Sequence, residues 1–226
     1  MLIGNMDYDG PEDIPAIVPL FPLPAALLLP RGQMPLNIFE ARYLDMIDNA
    51  LSGGRVVGMV QPRFDMGKID LEGNPALCSV GCVGRVTAFQ ESGDGRYLVT
   101  LTGVTRFRIL DEVTSENSFR LARVTSNEFI ADFQTDAGVE KVDRQGLLHV
   151  LKEYLDANSL EADWDSISSA TTEALVNALS MMSPYGAAEK QALLEAVTLE
   201  DRANTLIAIT EMELARGGTD GGNTLQ

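Results

Sequence analysis

The residues that could perform catalysis or bind a metal ion are few and scattered. His149 is the only histidine, and Cys78 and Cys82 are the only cysteines. A Ser-His-Asp triad, a Cys-His pair or a histidine-containing metal set would therefore have to be built around His149 alone. His149 lies in the helical pattern GLLHVLKEYL. We predict that it has no catalytic role.

The two cysteines lie in LCSVGCVGRVTAF, whose glycines and β-branched residues favour a strand. Along a strand that rises about 3.3 Å per residue, their Cα atoms would be roughly 13 Å apart. That distance exceeds the roughly 7 Å limit for a disulfide and is too long for one metal ion. We predict two buried thiols, which suit a reducing cytoplasm.

Paired carboxylates could act as acid and base or bind hard cations. The pairs are Asp111-Glu112, Asp163 with Asp165, and Glu200-Asp201. Each pair is predicted near a helix end or in a loop, without converging partners. We therefore predict solvated surface groups, no catalytic residue, no metal site and no cofactor.

Composition narrows the class of protein further. The 226 residues are 45% hydrophobic and carry 17 Lys and Arg against 33 Asp and Glu, a formal net charge of −16. A globular protein is predicted, with a surface that repels nucleic acid and anionic membranes. Four prolines interrupt residues 14–29, and no basic residue precedes Arg31. Neither a spanning helix nor an export signal is predicted, so we expect a cytoplasmic location.

The first part of the chain is rich in strand patterns. The proline-rich stretch is predicted as extended chain at a sheet edge, and Asn37 as the cap of a helix over 38–51 that ends at Gly53. The Ser-Gly-Asp-Gly turn at 92–95 predicts an antiparallel hairpin of 77–90 with 96–102. Further short strands are predicted at 55–60, 104–110 and 119–130. In the second of these, alternation places Arg106 and Arg108 on a wet face.

The second part of the chain has helical periodicity. Apolar stripes predict helices within 139–157, 172–182 and 188–197. A capping box of Thr198 with Asp201 predicts a last helix that stops at Gly217 and Gly218. The fold class is therefore α+β, a small barrel followed by packed helices. The predicted boundaries are an acidic tail at 1–13, a β-rich subdomain at 14–130, a helical subdomain at 131–216 and a disordered tail at 217–226.

Three segments carry a resemblance to a known family. They are VPLFPLPAALLLPRGQMPLNIFEARYLDMIDNAL, VGCVGRVTAFQESGDGRYLVTLTGVTRFRIL and FRLARV. In order and spacing they resemble the amino-terminal substrate-binding domain of the Lon ATP-dependent proteases, over about residues 15–215. The resemblance implies a PUA-like pseudo-barrel followed by a helical bundle, and a role in engaging unfolded or tagged protein substrates.

The chain departs from the complete Lon protease in its motifs. The phosphate-binding pattern G-x-x-x-x-G-K-[ST] is absent, since Gly67-Lys68 is followed by Ile69. No segment matches the domain that carries the Ser-Lys protease pair. We therefore predict a non-enzymatic recognition module for unfolded or client polypeptides, acting as an adaptor or holdase, with a separate protease or chaperone as a further partner.

The predicted binding surface lies where barrel and helices meet. In LLLPRGQMPL, Leu28 and Met34 flank a turn that has Arg31 and Gln33 at its tip, and MMSPY adds Met182 and Tyr185. Flexible methionines suit adaptable contacts, and the proline-rich edge could add a groove for extended chains. The alternative is that these side chains close the core between the two halves.

Two other functions stay open at this point. PUA-like relatives include RNA-binding modules, and five strand arginines could form a basic face: Arg85, Arg106, Arg108, Arg120 and Arg123. Neighbouring carboxylates and the net acidity favour surface ion pairs instead, with Asp111, Glu112, Glu116 and Glu128. An enzyme with a small-molecule pocket is the third possibility, and it is disfavoured because no triad or metal set converges. The sequence carries no signal for the oligomeric state.

Overall fold

Strands come first in the chain and helices follow. The computed structural model describes residues 1–63 and 75–220, so the Gly67-Lys68-Ile69 sequence lies outside the described residues. The strands are β1 (Leu2–Ile3), β2 (Met6–Asp7), β3 (Ile17–Pro22), β4 (Gln33–Ile38), β5 (Val56–Val60), β6 (Val80–Glu91), β7 (Tyr97–Val113) and β8 (Arg120–Thr125). The helices are α1 (Ala41–Ser52), α2 (Arg144–Ala157), α3 (Trp164–Ser169), α4 (Thr172–Met182), α5 (Ala187–Glu195) and α6 (Leu199–Asp220). The predicted α+β class is confirmed.

The main sheet closes on itself. Its strand order is β4-β7-β6-β5-β3-β8, and β8 also pairs with β7. Five strands therefore form a ring, while β4 lies outside it and, among the strands described, pairs with β7 alone. Closure leaves a barrel with few free edges, and β4 is the strand whose second edge stays unpaired by the other strands described. The predicted pseudo-barrel is confirmed.

The sequence predicted that the proline-rich strand β3 lies at the sheet edge. This prediction is wrong, because β3 is an interior strand. It pairs in parallel with β5 and antiparallel with β8. The two ladders overlap at Leu20 only, because β8 covers Ile17 to Leu20 and β5 covers Leu20 to Pro22. Each proline of β3 therefore lies at a position where β3 pairs with one strand and not two. The missing N–H of proline is tolerated there, because no second strand needs a hydrogen bond from it.

The predicted hairpin is present and longer than expected. Strands β6 and β7 pair antiparallel across the turn, where Gly93 and Gly95 have φ of 77° and 85°. Strand β7 runs as one 17-residue strand where two short strands were predicted. Gly103 lies within it, because a Cβ there would be 2.0 Å from the Leu29 carbonyl oxygen. The glycine marks a close backbone approach, not a strand end.

Helix α1 begins later than predicted. Asn37 and Ile38 are the last residues of β4, paired with Leu98 and Tyr97, so Asn37 is not the helix cap. Glu40 occupies the N-cap position, and Gly53 ends the helix as predicted. Strand pairing with β7 therefore overrides the local capping signal, and Phe39 is left 64% exposed between the two elements.

The amino terminus is folded against the barrel. Strands β1 and β2 form a small antiparallel hairpin. Tyr8 is buried, and its hydroxyl accepts a hydrogen bond from Arg85 at 3.2 Å. Arg85 also donates to the Asn5 side chain at 2.8 Å. The hairpin is held by a buried guanidinium that belongs to the barrel wall.

The helices share a hydrophobic core with the barrel. One cluster joins Leu28 and Leu101 of the barrel half to Val176, Leu193 and Leu206 of the helices. The predicted capping box is confirmed, since Thr198 N donates to Asp201 and Asp201 N donates to Thr198. The predicted stop at Gly217 and Gly218 is wrong, because α6 continues to Asp220. Glycine lowers helix propensity by only about 1 kcal/mol, which a long preceding helix tolerates. The other subdomain boundaries stay predictions.

Candidate functional site

The turn between β3 and β4 projects onto helix α4. Arg31 has φ of 65°, a left-handed conformation that is uncommon for residues other than glycine. Its backbone N–H donates to the Gly103 carbonyl at 2.8 Å, which fixes the turn against β7. Its side chain forms an ion pair with Glu173 and donates to the Asp132 carbonyl at 2.6 Å. The strained turn is therefore clamped from both sides.

A cleft opens along this contact, and we call it the junction cleft. It has a volume of about 350 Å³ and lies between the turn, residues 135–136 and one face of α4. Arg31, Gln33 and Met182 line it together with Met181. Asn177 donates to the Pro30 carbonyl at 3.2 Å and closes the inner end. The turn and α4 thus form a concave site where barrel and helices meet.

The structure separates the predicted contact residues into two groups. Leu28 and Tyr185 are buried in the core, where the Tyr185 hydroxyl bonds to Thr210 at 2.6 Å. Met34 is half-buried against the same core. Gln33 is exposed, and Met182 is 81% exposed at the end of α4. For Leu28 and Tyr185 the placement is the core closure named as the alternative, whereas Arg31, Gln33 and Met182 line the junction cleft.

A second cleft lies on the barrel beside the PLFPLP segment. It has a volume of about 510 Å³ and is lined by Pro22, Pro24, Tyr43 and Phe119 among others. The ring centroids of Phe21 and Tyr43 are 4.5 Å apart beneath it. Sequence reasoning placed a groove at the proline-rich segment but missed Tyr43 and Phe119. Both belong to elements distant in sequence, so only barrel closure brings them together.

The reactive side chains lie away from these clefts. His149 is on the exposed face of α2, 3.4 Å from Glu153. Cys78 and Cys82 are buried thiols, and burial raises the pKa of Cys82 far above its usual range. Within residues 1–63 and 75–216, no three His, Cys, Asp or Glu side chains converge as a metal set. Likewise, none of the helices described is long and apolar enough to span a membrane.

The strand arginines do not form an open basic face. Three of them pair with carboxylates on the barrel surface, namely Arg108 with Glu128, Arg120 with Glu112 and Arg123 with Asp111. Arg85 is buried against the amino-terminal hairpin. The ion-pair interpretation of Asp111 and Glu112 therefore agrees with the geometry, and these five arginines provide no unpaired stripe for a phosphate backbone.

Arg106 departs from the predicted wet face. It is 3% exposed, and its guanidinium bonds to both carboxylate oxygens of Asp132, at 2.9 and 2.8 Å. It also donates to the carbonyls of Leu194, Ala196 and Val197. Alternation along β7 was correct, but the 3-10 turn at 127–133 and the connection from α5 to α6 cover the outer face at this position. Arg106 is thus a buried link between barrel and helices.

Lys190 supports the end of α4 beneath the junction cleft. It is buried, and its ammonium donates to the carbonyls of Ser180 and Met181 at 2.8 and 2.7 Å. These carbonyls lie in the last turn of α4, where they lack intrahelical partners. Burial lowers the pKa of Lys190 to about 8. The position of Met181 at the cleft therefore depends on a buried ammonium group.

The lowered pKa of Lys190 gives stability a defined pH dependence. Between pH 8 and the unfolded value of 10.5, the unfolded chain binds the proton more tightly than the folded chain does. Stability contributed by this group therefore rises with pH across that window. Relative to Lys190→Met, the wild type should gain about 2 kcal/mol of unfolding free energy between pH 7.5 and pH 10. Urea unfolding of both proteins at the two pH values measures the gain, and parallel pH profiles would contradict it.

The fold and its clefts define the class as an α+β barrel protein with a packed helical extension. A family model described as the ATP-dependent protease La (LON) substrate-binding domain matches residues 17–211. The chain belongs to this family. The resemblance predicted from the sequence is confirmed, and the matched residues agree with the predicted span.

Individual relatives agree with the family. The chain is 28% identical over 204 residues to Lon protease 2 of Myxococcus xanthus, covering 88% of this chain and 24% of the relative. It is 31% identical over 117 residues to the Lon protease of Anaeromyxobacter dehalogenans, covering 52% of this chain and 14% of the relative. The chain thus spans a quarter or less of the length of these curated relatives.

Two solved structures have the same fold. One is a Lon N-terminal domain protein from Xanthomonas campestris, with 21% identity and a TM-score of 0.59, covering 85% of this chain and 97% of that chain. The other is the N-terminal domain of the Mycobacterium avium complex Lon protease, with 18% identity and a TM-score of 0.62, covering 86% and 98%. Both support the arrangement of barrel and helices described above.

Proposed function

We propose that this chain is a recognition module that binds unfolded or client polypeptides in the junction cleft. The observation that carries the proposal is the convergence of Gln33 and Met182, both exposed, with Arg31 and Met181 around one concave site. The site combines flexible thioethers with polar groups of a rigid turn. Such a surface accommodates varied apolar side chains and still offers hydrogen bonds to a backbone.

The strand β4 supplies a second element of this proposal. Gln33 is its first residue, and its outer edge is unpaired by the other strands described. An extended polypeptide could add to that edge and continue into the junction cleft at Gln33 and Met182. Pro35 removes one donor in the middle of β4, which limits such pairing to a short register.

The fate of a bound client on this chain is a second part of the proposed function. We propose that it holds the polypeptide without cleaving it, and that a separate protease or chaperone receives the client. This part is supported by the positions of His149, Cys78 and Cys82, which lie outside the junction cleft. A cytoplasmic location belongs to the same proposal, because both cysteines are buried thiols of the kind found in reducing compartments.

Substitution of Met182 tests the binding surface. Met182→Asp places a charge on an exposed side chain that lines the junction cleft, so the fold should be retained. Affinity for a carbamidomethylated, permanently unfolded model protein should fall about tenfold, the effect of an interface residue worth about 1.4 kcal/mol. Fluorescence anisotropy with the labelled client measures the change.

The matched control is Met212→Asp on helix α6. Met212 is also an exposed helical methionine, at 54%, but it does not line the junction cleft. Its substitution introduces the same charge and should leave affinity unchanged within twofold. Equal affinities for the two folded variants would contradict binding in the junction cleft.

A further inference from the structure

A smaller cavity lies behind the junction cleft, and three arginines line it. It has a volume of about 190 Å³ and is enclosed by the turn at Arg31, the 3-10 turn at 127–133 and the start of α6. We call it the arginine cavity because Arg31, Arg106 and Arg202 converge on it from these elements and from β7. It opens to solvent past Val197, which is 77% exposed.

The buried charges of the arginine cavity do not balance. Arg106 is neutralised by Asp132, and Arg31 is paired with Glu173. Arg202 is 4% exposed and donates to the Leu193 carbonyl and the Asn177 side-chain oxygen, both at 3.0 Å. No carboxylate of the described residues forms an ion pair with it. At the mouth, Lys141 and Glu200 cancel, so one positive charge is left over.

Two hydrogen-bond donors of the arginines that line the cavity lack acceptors among the described residues. They are the Nη2 group of Arg202 and the Nε group of Arg31, both of which are buried. Buried guanidinium groups are normally satisfied on every side, since an unmet donor retains its full desolvation cost. Burial and the neighbouring Arg106 lower the pKa of Arg202 to about 10, so this side chain is still charged at neutral pH. The uncompensated charge and the two unmet donors therefore belong to side chains that line one cavity.

We propose that the arginine cavity binds a carboxylate. One negative charge neutralises the excess, and the two oxygens of a carboxylate can each accept from a different guanidinium group. A dianionic phosphate is disfavoured because Asp132, Glu173 and Glu200 also line the cavity and would repel a second negative charge. The carboxylate has two possible sources, a free small organic acid and the terminus or acidic side chain of a polypeptide. The second source lies within reach, since Arg31 and Glu173 line both the cavity and the junction cleft.

Acetate is the probe for this site, and the test does not require that clients bind. Thermal unfolding is followed while sodium acetate replaces sodium methanesulfonate at constant ionic strength. A ligand that binds the folded chain alone stabilises it by RT ln(1 + [L]/Kd) and so raises the melting temperature as its concentration rises. We expect acetate to raise the melting temperature of the wild type and of Arg108→Met, whose exposed arginine on β7 pairs with Glu128 outside the cavity. In Arg202→Met the apparent acetate affinity should fall at least tenfold.

Crystals of the wild type give a readout that survives if Arg202→Met fails to fold. After a soak in bromoacetate, the carboxylate should lie within hydrogen-bond distance of Arg202 Nη2 and Arg31 Nε, with anomalous bromine signal in the cavity. Ordered water alone at these two atoms would overturn the proposal, as would equal acetate effects on folded Arg202→Met and the wild type. A peptide with a free carboxyl terminus and its amide then identify the source. If the peptide with the free carboxyl terminus displaces bromoacetate and its amide does not, the source is a polypeptide terminus. If neither peptide displaces bromoacetate, the source is a free organic acid.

Discussion

Replacing Arg106 by methionine should lower the free energy of unfolding by about 3–5 kcal/mol, the cost of removing one partner of a buried ion pair. Asp132 is 6% exposed and would lose two guanidinium donors, at 2.9 and 2.8 Å, while retaining the Arg106 backbone N–H at 2.9 Å. The carbonyls of Leu194 and Val197 would lose their donor as well. Guanidinium chloride unfolding followed by circular dichroism measures the loss.

Arg108→Met is the matched control on the same strand. Arg108 lies two residues further along β7 and forms an ion pair of similar geometry with Glu128, at 2.6 and 2.7 Å. Both partners are more than 40% exposed, so solvent screens the pair and its loss should cost less than about 1 kcal/mol. Equal losses for the two variants would show that burial of Arg106 does not set its contribution.

A double variant separates the pair from its surroundings. Arg106→Met with Asp132→Leu removes both charges, so no uncompensated carboxylate stays buried. The double variant should therefore be more stable than Arg106→Met alone, since hydrophobic replacement of a buried pair often recovers its stability. A further loss of stability in the double variant would contradict this account, because it would mean that the hydrogen bond from the Arg106 backbone N–H to Asp132 outweighs the cost of the unpaired carboxylate.

These two arginines also show what sequence patterns can predict. Alternation along VTRFRIL correctly separates Phe107, which is buried in the barrel, from the two arginines on the other face. The pattern gives no information about which segments pack over that face. The 3-10 turn and the α5–α6 connection pack over Arg106 and leave Arg108 in solvent, and both come from segments at least twenty residues away in sequence. Burial by tertiary packing is therefore the part that the local pattern misses.

Elements defined by local signals were predicted well. Helix α4 has the predicted bounds, Thr172–Met182, and the Thr198–Asp201 box caps α6. Elements that depend on barrel closure were not. Strand β3 became an interior strand because β8 returns to pair with it, and β4 extends through Ile38 because β7 is long enough to pair with it. Sheet neighbours distant in sequence decide these boundaries.

The same division applies to the two proposed binding sites. Arg31, Gln33 and Met182 were predicted from a turn and a helix end, and tertiary packing unites them in the junction cleft. The arginine cavity had no sequence signal, because Arg202 follows two acidic residues in the first turn of a helix and looks like a solvated charge. Its burial results from α4 and α5, whose Asn177 and Leu193 accept its hydrogen bonds.

Gly103→Ala should destabilise the chain by about 3–5 kcal/mol and weaken the client binding that we propose for the junction cleft. A Cβ at this position would lie 2.0 Å from the Leu29 carbonyl oxygen, which is backbone and has no alternative rotamer. The loop must then move away by roughly 1 Å, a strain that typically costs 1–3 kcal/mol. Movement also stretches two hydrogen bonds of 2.8 Å, from Arg31 N to Gly103 O and from Gly103 N to Gly32 O. Each is worth about 1 kcal/mol.

Gly54→Ala is the control because it adds the same methyl group where there is room. The nearest atoms to a Cβ added at Gly54 are 3.9 Å away, and its φ is not positive. Its unfolding midpoint should stay close to that of the wild type, whereas Gly103→Ala should unfold at clearly lower denaturant concentration. Coincident midpoints would mean that the loop yields without cost. In that case the left-handed Arg31 turn would be easily deformed, and the close contact of Gly103 with Leu29 would not determine the shape of the junction cleft.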